Sequence, residues 1–155
     1  MAVAPIPPGY ASVTPYLIVR GAAKAIDFYK RAFGAVELFR FDGPDGTLGH
    51  AEIKIGNSPI MLADGMSGYP DPLTLGGTGV SFMLYVPDVD AAFARAIAAG
   101  ATVKRPVADQ FYGDRTGTLA DPFGHVWSIG THIEDVSPTE MDRRHKELMK
   151  SGAGA

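Results

Sequence analysis

The chain has 155 residues, 46% hydrophobic and 20% charged, which suits one packed domain and excludes wholesale disorder. A formal charge of −3 offers no basic footprint for nucleic acid, and the lack of cysteine excludes disulfides and thiolate metal sites. The N-terminal stretch has no basic segment and is broken by Pro5, Pro7 and Pro8, so neither a signal peptide nor a membrane span is expected, and the cytoplasm is the expected compartment.

Residues 1–11 read as an extended, proline-rich arm. Residues 13–20 read as a strand, and residues 22–33 as a helix with Ala22, Ile26, Tyr29 and Phe33 on one stripe, ended by Gly34. Strands follow at 35–41, 48–55 and 60–63, the last two a hairpin around residues 56–59. Residues 65–79 hold five glycines and two prolines and read as a linker. The order then recurs: a strand at 80–86, an Ala-rich helix at 89–99 stopped by Gly100, and strands at 101–107, 116–120 and 126–130. The final hairpin is introduced by Asp121-Pro122-Phe123-Gly124, where Asp121 can bond the backbone two residues on. Module one thus spans 12–64 and module two 80–136, a repeat at an offset of 66 to 67 that requires one deleted residue, placed in the strand-to-helix loop. Ser137-Pro138-Thr139-Glu140 opens a mostly charged helix over 138–150 as a capping box, with Met141, Leu148 and Met149 as apolar contacts, and residues 151–155 form a tail.

This tandem βαβββ pattern resembles the vicinal oxygen chelate superfamily of glyoxalases, bleomycin-resistance proteins and extradiol dioxygenases. The stretch from Ala25 through Tyr29, Phe33 and Gly34 to Ala35 looks like its first helix, and Val86-Pro87-Asp88-Val89 like the start of its second. Asp121-Pro122-Phe123-Gly124-His125-Val126-Trp127, together with Gln110-Phe111-Tyr112-Gly113-Asp114-Arg115, resembles the PhnB-like branch. The resemblance implies an α+β fold of two curved sheets or a partial barrel, with helices on the convex side and a ligand cavity on the concave side. It also implies four metal ligands in metal-dependent members, one from the first and one from the last strand of each module. Modules in such proteins pair within a chain or across a dimer.

Strand parity assigns those positions here. Leu17, Val19, Phe82, Leu84, Val86, Trp127 and Ile129 should face the helices, because alternate side chains point to opposite faces. The ligand positions then hold Thr14, Met61, Ser81 and Ser128, none a good ligand for a divalent metal that wants imidazole or carboxylate. His50 and Glu52 share the concave face and offer an alternative metal half-site. His125 reads as a bonded turn residue, His132 as lying beyond the last strand, and His145 as part of a solvated helix face.

Three functional readings stand. In the first, Tyr16, Met61, Ser81, Met83, Tyr85 and Ser128, with Arg115 as a partner for an anionic group, line a metal-independent pocket for a small organic ligand, with no cofactor. In the second, a divalent metal at His50 and Glu52 serves a lyase, isomerase or dioxygenase. For Arg115, an internal pair with Asp114 or Asp121 is the competing role. A homodimer is expected under all three readings, since open sheets leave edges for a partner to cover, and neither a nucleic-acid nor a membrane partner is expected. A third reading is a dimeric scaffold assembled through the arm and the C-terminal helix.

Overall fold

Eight strands and four helices make up the computed structural model, which describes residues 3–66 and 68–152. Residues 1–2, 67 and 153–155, in the predicted arm, linker and tail, lie outside the described residues. The order is β1 (Tyr16–Val19), α1 (Ala22–Phe33), β2 (Val36–Asp42), β3 (Leu48–Ile55), β4 (Ser58–Asp64), α2 (Pro72–Leu75), β5 (Ser81–Tyr85), α3 (Val89–Ala99), β6 (Thr102–Asp109), β7 (Asp114–Ala120), β8 (Val126–His132) and α4 (Pro138–Lys150). The strands form two four-stranded mixed sheets, ordered β1-β4-β3-β2 and β5-β8-β7-β6. The sheets are curved and unclosed, and the C-terminal helix follows the second of them. In each sheet the module's first strand lies parallel to its last, and the remaining pairs are antiparallel. This is the tandem βαβββ architecture expected from the repeat.

Helix boundaries agree with the 3.6-residue periodicity, while strand boundaries move for local reasons. β1 begins at Tyr16 rather than Val13, because Pro15 has no N–H to donate and enters only as an acceptor, its carbonyl taking Met61 N–H at 2.9 Å. β4 starts at Ser58 because Ile55 pairs with Ser58 across a two-residue turn, with Gly56 at φ 57°. β8 runs to His132, so this histidine ends the last strand instead of lying beyond it. In the glycine-rich stretch between modules, Asp71 caps α2, accepting from Leu73 and Thr74 N–H at 3.0 and 3.2 Å. At α4, Ser137 accepts Glu140 N–H, but Glu140 turns its carboxylate to Arg143 and Arg144, so the reciprocal half of the capping box is not made. Met149 is exposed rather than packed.

The two helices pack against each other and share one core with the inner faces of both sheets. Leu17, Val19, Trp127 and Ile129 are buried there, as strand parity requires. Trp127 meets Phe82 and Phe33 at ring-centroid distances of 4.7 and 4.8 Å, bridging module two to α1. Asp121 ties this region together. Its buried carboxylate accepts from Tyr29 Oη (2.7 Å) and Trp127 Nε1 (2.9 Å), and from the N–H groups of Phe123 and His125. The bond to Phe123 is the Asx turn expected from the motif. Tyr29 is held well above its ordinary pKa, first by burial and then by the Asp121 charge.

The deleted residue of the repeat does not lie in the strand-to-helix loop. Buried positions 22, 25, 26 and 29 of α1 match 89, 92, 93 and 96 of α3 at a constant offset of 67. α1 has 12 residues and α3 has 11, so the residue is lost in the last turn of the helix, before Gly100. A loss there leaves the packed stripe in phase, whereas a loss ahead of the helix would have rotated it by 100°.

Candidate functional site

The pairing registers lay out the outer face of each sheet row by row. In module one, Tyr16 of β1 stands opposite Met61 of β4, Met61 opposite Glu52 of β3, and Glu52 opposite Phe39 of β2. In the adjacent row Ile18 pairs with Ala63, and His50 with Phe41. Small Ala63 leaves the Tyr16 ring free to reach across β4 toward β3. Tyr16 Oη meets His50 Nδ1 at 2.8 Å, and His50 Nε2 meets Glu52 Oε1 at 3.1 Å. Phe39 and Phe41 flank the imidazole, with centroids 5.7 and 6.3 Å away. Glu52 is 7% exposed, and its burial raises the carboxyl above the usual range. Partial burial likewise raises the Tyr16 phenol.

Beside this line of polar groups lies an open cavity of about 500 Å³, lined by Tyr16, Ile18, Ala63, Met66 and Tyr69. Its walls are apolar and aromatic, and Tyr16, Met66 and Tyr69 remain exposed, as do Phe39 and Phe41.

Module two's outer face has a different character. Met83 pairs with Ser128, and Ser128 with Thr118, whose hydroxyl lies 3.0 Å from that of Ser128. A smaller cavity of about 160 Å³ is bordered by Met83, Arg105, Gln110, Thr116, Thr118 and Ser128. Tyr85 donates to Asp114 at 2.8 Å, and this hydrogen bond is the main cause of its raised pKa. Asp114 also binds His132 at 2.7 Å, and Asp135 takes the other ring nitrogen at 2.9 Å.

The single lining expected from the sequence is therefore divided. Tyr16 and Met61 stand on the first sheet, and Ser81, Met83, Tyr85 and Ser128 on the second. Arg115 belongs to neither outer face. It grips Asp90 of α3 through two 2.9 Å bonds and Asp109 of β6 through a third, so it serves structure, with partners other than the Asp114 or Asp121 expected. His125 bonds the Ile18 carbonyl at 3.0 Å, fastening module two's turn to the edge of β1. Phe39, Phe41, Met66 and Tyr69 were not singled out from the sequence. For the two phenylalanines a signal existed, since they alternate on the strand paired with the one carrying His50 and Glu52.

The chemistry of the donor set decides whether these positions suit the metal that such a fold can carry. Thr14 lies ahead of β1, and the remaining positions hold Met61, Ser81 and Ser128, which do not fit a divalent ion. At the alternative half-site both ring nitrogens of His50 are engaged, by Tyr16 and Glu52. Among the described residues no three His, Cys, Asp or Glu side chains stand close enough to hold a metal together. Among the same residues, no helix is long and apolar enough to cross a membrane.

Fold and repeat agree with a family model, Glyoxalase/Bleomycin resistance protein/Dioxygenase superfamily, which matches residues 10–129. The chain belongs to this superfamily. It is 50% identical over 148 residues to an uncharacterized protein of Mycobacterium bovis, covering 92% of this chain and 95% of that one. Among solved structures, TioX from Micromonospora sp. ML1 superposes with a TM-score of 0.62 at 28% identity, covering 82% of this chain and all of that one. A PhnB protein from Bacillus cereus superposes with a TM-score of 0.61 at 18% identity, covering 78% and 99% respectively, which establishes the shared fold.

Proposed function

We propose that this chain is a metal-independent small-molecule-binding protein of the PhnB-like branch, taking an organic ligand with an aromatic or otherwise apolar body. The observation that carries the reading is the outer face of module one. Exposed Tyr16, Met66 and Tyr69 line a cavity of about 500 Å³, exposed Phe39 and Phe41 flank His50 on the same sheet, and the positions where a metal-dependent relative would hold ligands carry Thr, Met and Ser. Apolar walls with a few polar groups describe a small-molecule site. Met83, Tyr85 and Ser128 belong to the separate outer face of the second sheet, and a second copy of the chain covers the faces one copy leaves open.

The test is binding of an aromatic dye, anilinonaphthalene sulfonate, before and after exhaustive dialysis against a chelator, with mass measured by light scattering. Saturable binding that survives dialysis, falls in Phe41→Ser and Tyr69→Ser, and accompanies a dimeric mass is expected. Loss of binding on dialysis, restored by a divalent ion, would overturn metal independence, and unaltered binding in both variants would remove the site.

A further inference from the structure

We propose that Glu52, His50 and Tyr16 form a proton relay with which module one's outer face catalyses proton transfer at a weak carbon acid bound in the adjacent apolar cavity. This rests on the ligand-binding reading and gives it a chemistry. Three observations carry it.

The first is the order of the contacts. An ionised Glu52 can only accept, so His50 presents Nε2–H to it and leaves Nδ1 bare, and that bare nitrogen is the atom 2.8 Å from the Tyr16 hydroxyl. In that arrangement Tyr16 donates its own proton inward to His50, and the Tyr16 side chain also lines the cavity. The second is the gradient of burial. Glu52 is buried, His50 half-buried and Tyr16 exposed, so the line runs from the interior to the place where a ligand would sit. A base oriented by a buried carboxylate and bonded to an exposed hydroxyl is the general arrangement of activated catalytic hydroxyls. The third is that the fold does not require it. Met83, Thr116 and Thr118 occupy the corresponding places in module two, which builds the same sheet without any of the three.

The step balances without a co-reactant. A ligand C–H bond next to a carbonyl breaks, and its proton joins Tyr16 Oη as the Tyr16 proton passes to His50 Nδ1. The electron pair stays on the ligand as an enolate. Glu52 faces the imidazolium that forms. Return of the proton along the same line, to the same or another ligand atom, restores the protein and yields exchange or tautomerisation. Among the described residues, the side chains in hydrogen-bond or ring contact with His50 are Tyr16, Glu52, Phe39 and Phe41, so no cation flanks the relay. An uncharged aromatic ketone suits it better than a carboxylate.

The probe is therefore β-tetralone, a neutral aromatic ketone with an acidic C–H, incubated with the full chain in D₂O. Loss of its α-proton signal reports exchange, and its line broadening reports binding. Exchange above the buffer rate is expected, with kcat falling roughly 10²–10⁴-fold in Tyr16→Phe and His50→Gln while KM stays unchanged. Glu52→Gln should lose less, since the orienting partner is altered rather than removed. Broadening without exchange above buffer overturns the relay and leaves the binding face standing, whereas neither broadening nor exchange counts against both. Exchange that persists in Tyr16→Phe also overturns the relay. A ligand-free readout stands beside these. Nitrogen-15 spectra should show His50 protonated at Nε2 and bare at Nδ1, with the Nδ1 resonance moving in Tyr16→Phe. A proton found on Nδ1 refutes the relay whatever the probe does.

Discussion

Laid over one another by their pairing registers, modules one and two keep the helix-facing positions of their first and last strands apolar and part where residues face away. Tyr16 with Met61 corresponds to Met83 with Ser128, and Leu17 with Leu62 to Leu84 with Ile129. The helix-facing pair stays aliphatic in both modules, while the outward pair changes from aromatic and thioether to thioether and hydroxyl. Even the device that starts each helix is repeated. Asp64 ends β4 and accepts from Gly21 and Ala22 N–H, while Thr131, at the same place in β8, accepts from Val89 N–H. Packing against a shared core constrains one face to close-fitting apolar volumes, and the other face is free to specialise. Module one has gathered polar chemistry and exposed aromatics, and module two hydroxyls and a smaller hollow.

The largest expected break in this comparison lies in the final turns. Module one closes its last hairpin with Gly56-Asn57, whereas module two uses the longer turn in which Asp121 accepts four bonds. Asp121→Ala would leave Tyr29 and Trp127 donors buried and unpaired, costing roughly 3–5 kcal/mol in chemical denaturation. A cost below about 1 kcal/mol would show that water satisfies those donors.

Next in size is a compensation across the modules. Ala51 of β3 and Ile26 of α1 correspond to Gly117 of β7 and Phe93 of α3, a larger strand residue with a smaller helix residue and the reverse. A Cβ on Gly117 would lie 2.7 Å from the Phe93 ring and 2.8 Å from Val107. Gly117→Ala should therefore destabilise by about 1–3 kcal/mol. Combining it with Phe93→Ile should cost less than the two single changes together, and strict additivity would refute the compensation.

The two helix starts give a smaller contrast. Asp64 also accepts Leu48 N–H at 2.8 Å, so Asp64→Ala removes three acceptor contacts, against one acceptor contact and one donated bond lost in Thr131→Ala. We expect about 2 kcal/mol for the first and about 1 kcal/mol for the second. The reverse order in thermal melts would show that charge at the cap matters less than the hydroxyl's donation to Val86.

The smallest effect is a pH dependence found in module two. Hydrogen bonds to Asp114, and then to Asp135, raise the His132 pKa above its ordinary value of about 6.5. A raised folded-state value favours the charged form on folding, so this stabilisation is complete below about 6.5 and fades as pH rises through the folded-state value. Wild type should melt above His132→Gln at mildly acidic pH, and the gap should close toward alkaline pH. A gap that widens with pH contradicts the assignment.

How much was legible beforehand follows from the range of each signal. The bounds of α1, α3 and α4 and the inward side of β1, β5 and β8 rest on periods of 3.6 and 2 that need no partner. The contact of Tyr16 with His50 spans 34 residues and depends on β4 lying between β1 and β3 with a small residue at 63, which no local pattern reports. The partners of Arg115 are hidden in the sequence for the same reason. Strand parity alone puts its side chain on the helix side, but the acids that hold it come from α3 and β6.

By itself the sequence determined the repeat, the α+β architecture and the membership of the superfamily, because these depend on residue identity and local period. Only the tertiary structure decided that the predicted lining divides between two sheets and that Asp121 joins the modules. It also decided that Glu52, His50 and Tyr16 stand in line from the interior to an open cavity. Those are matters of which strands become neighbours, and that is settled by packing the two helices and both sheets around one core.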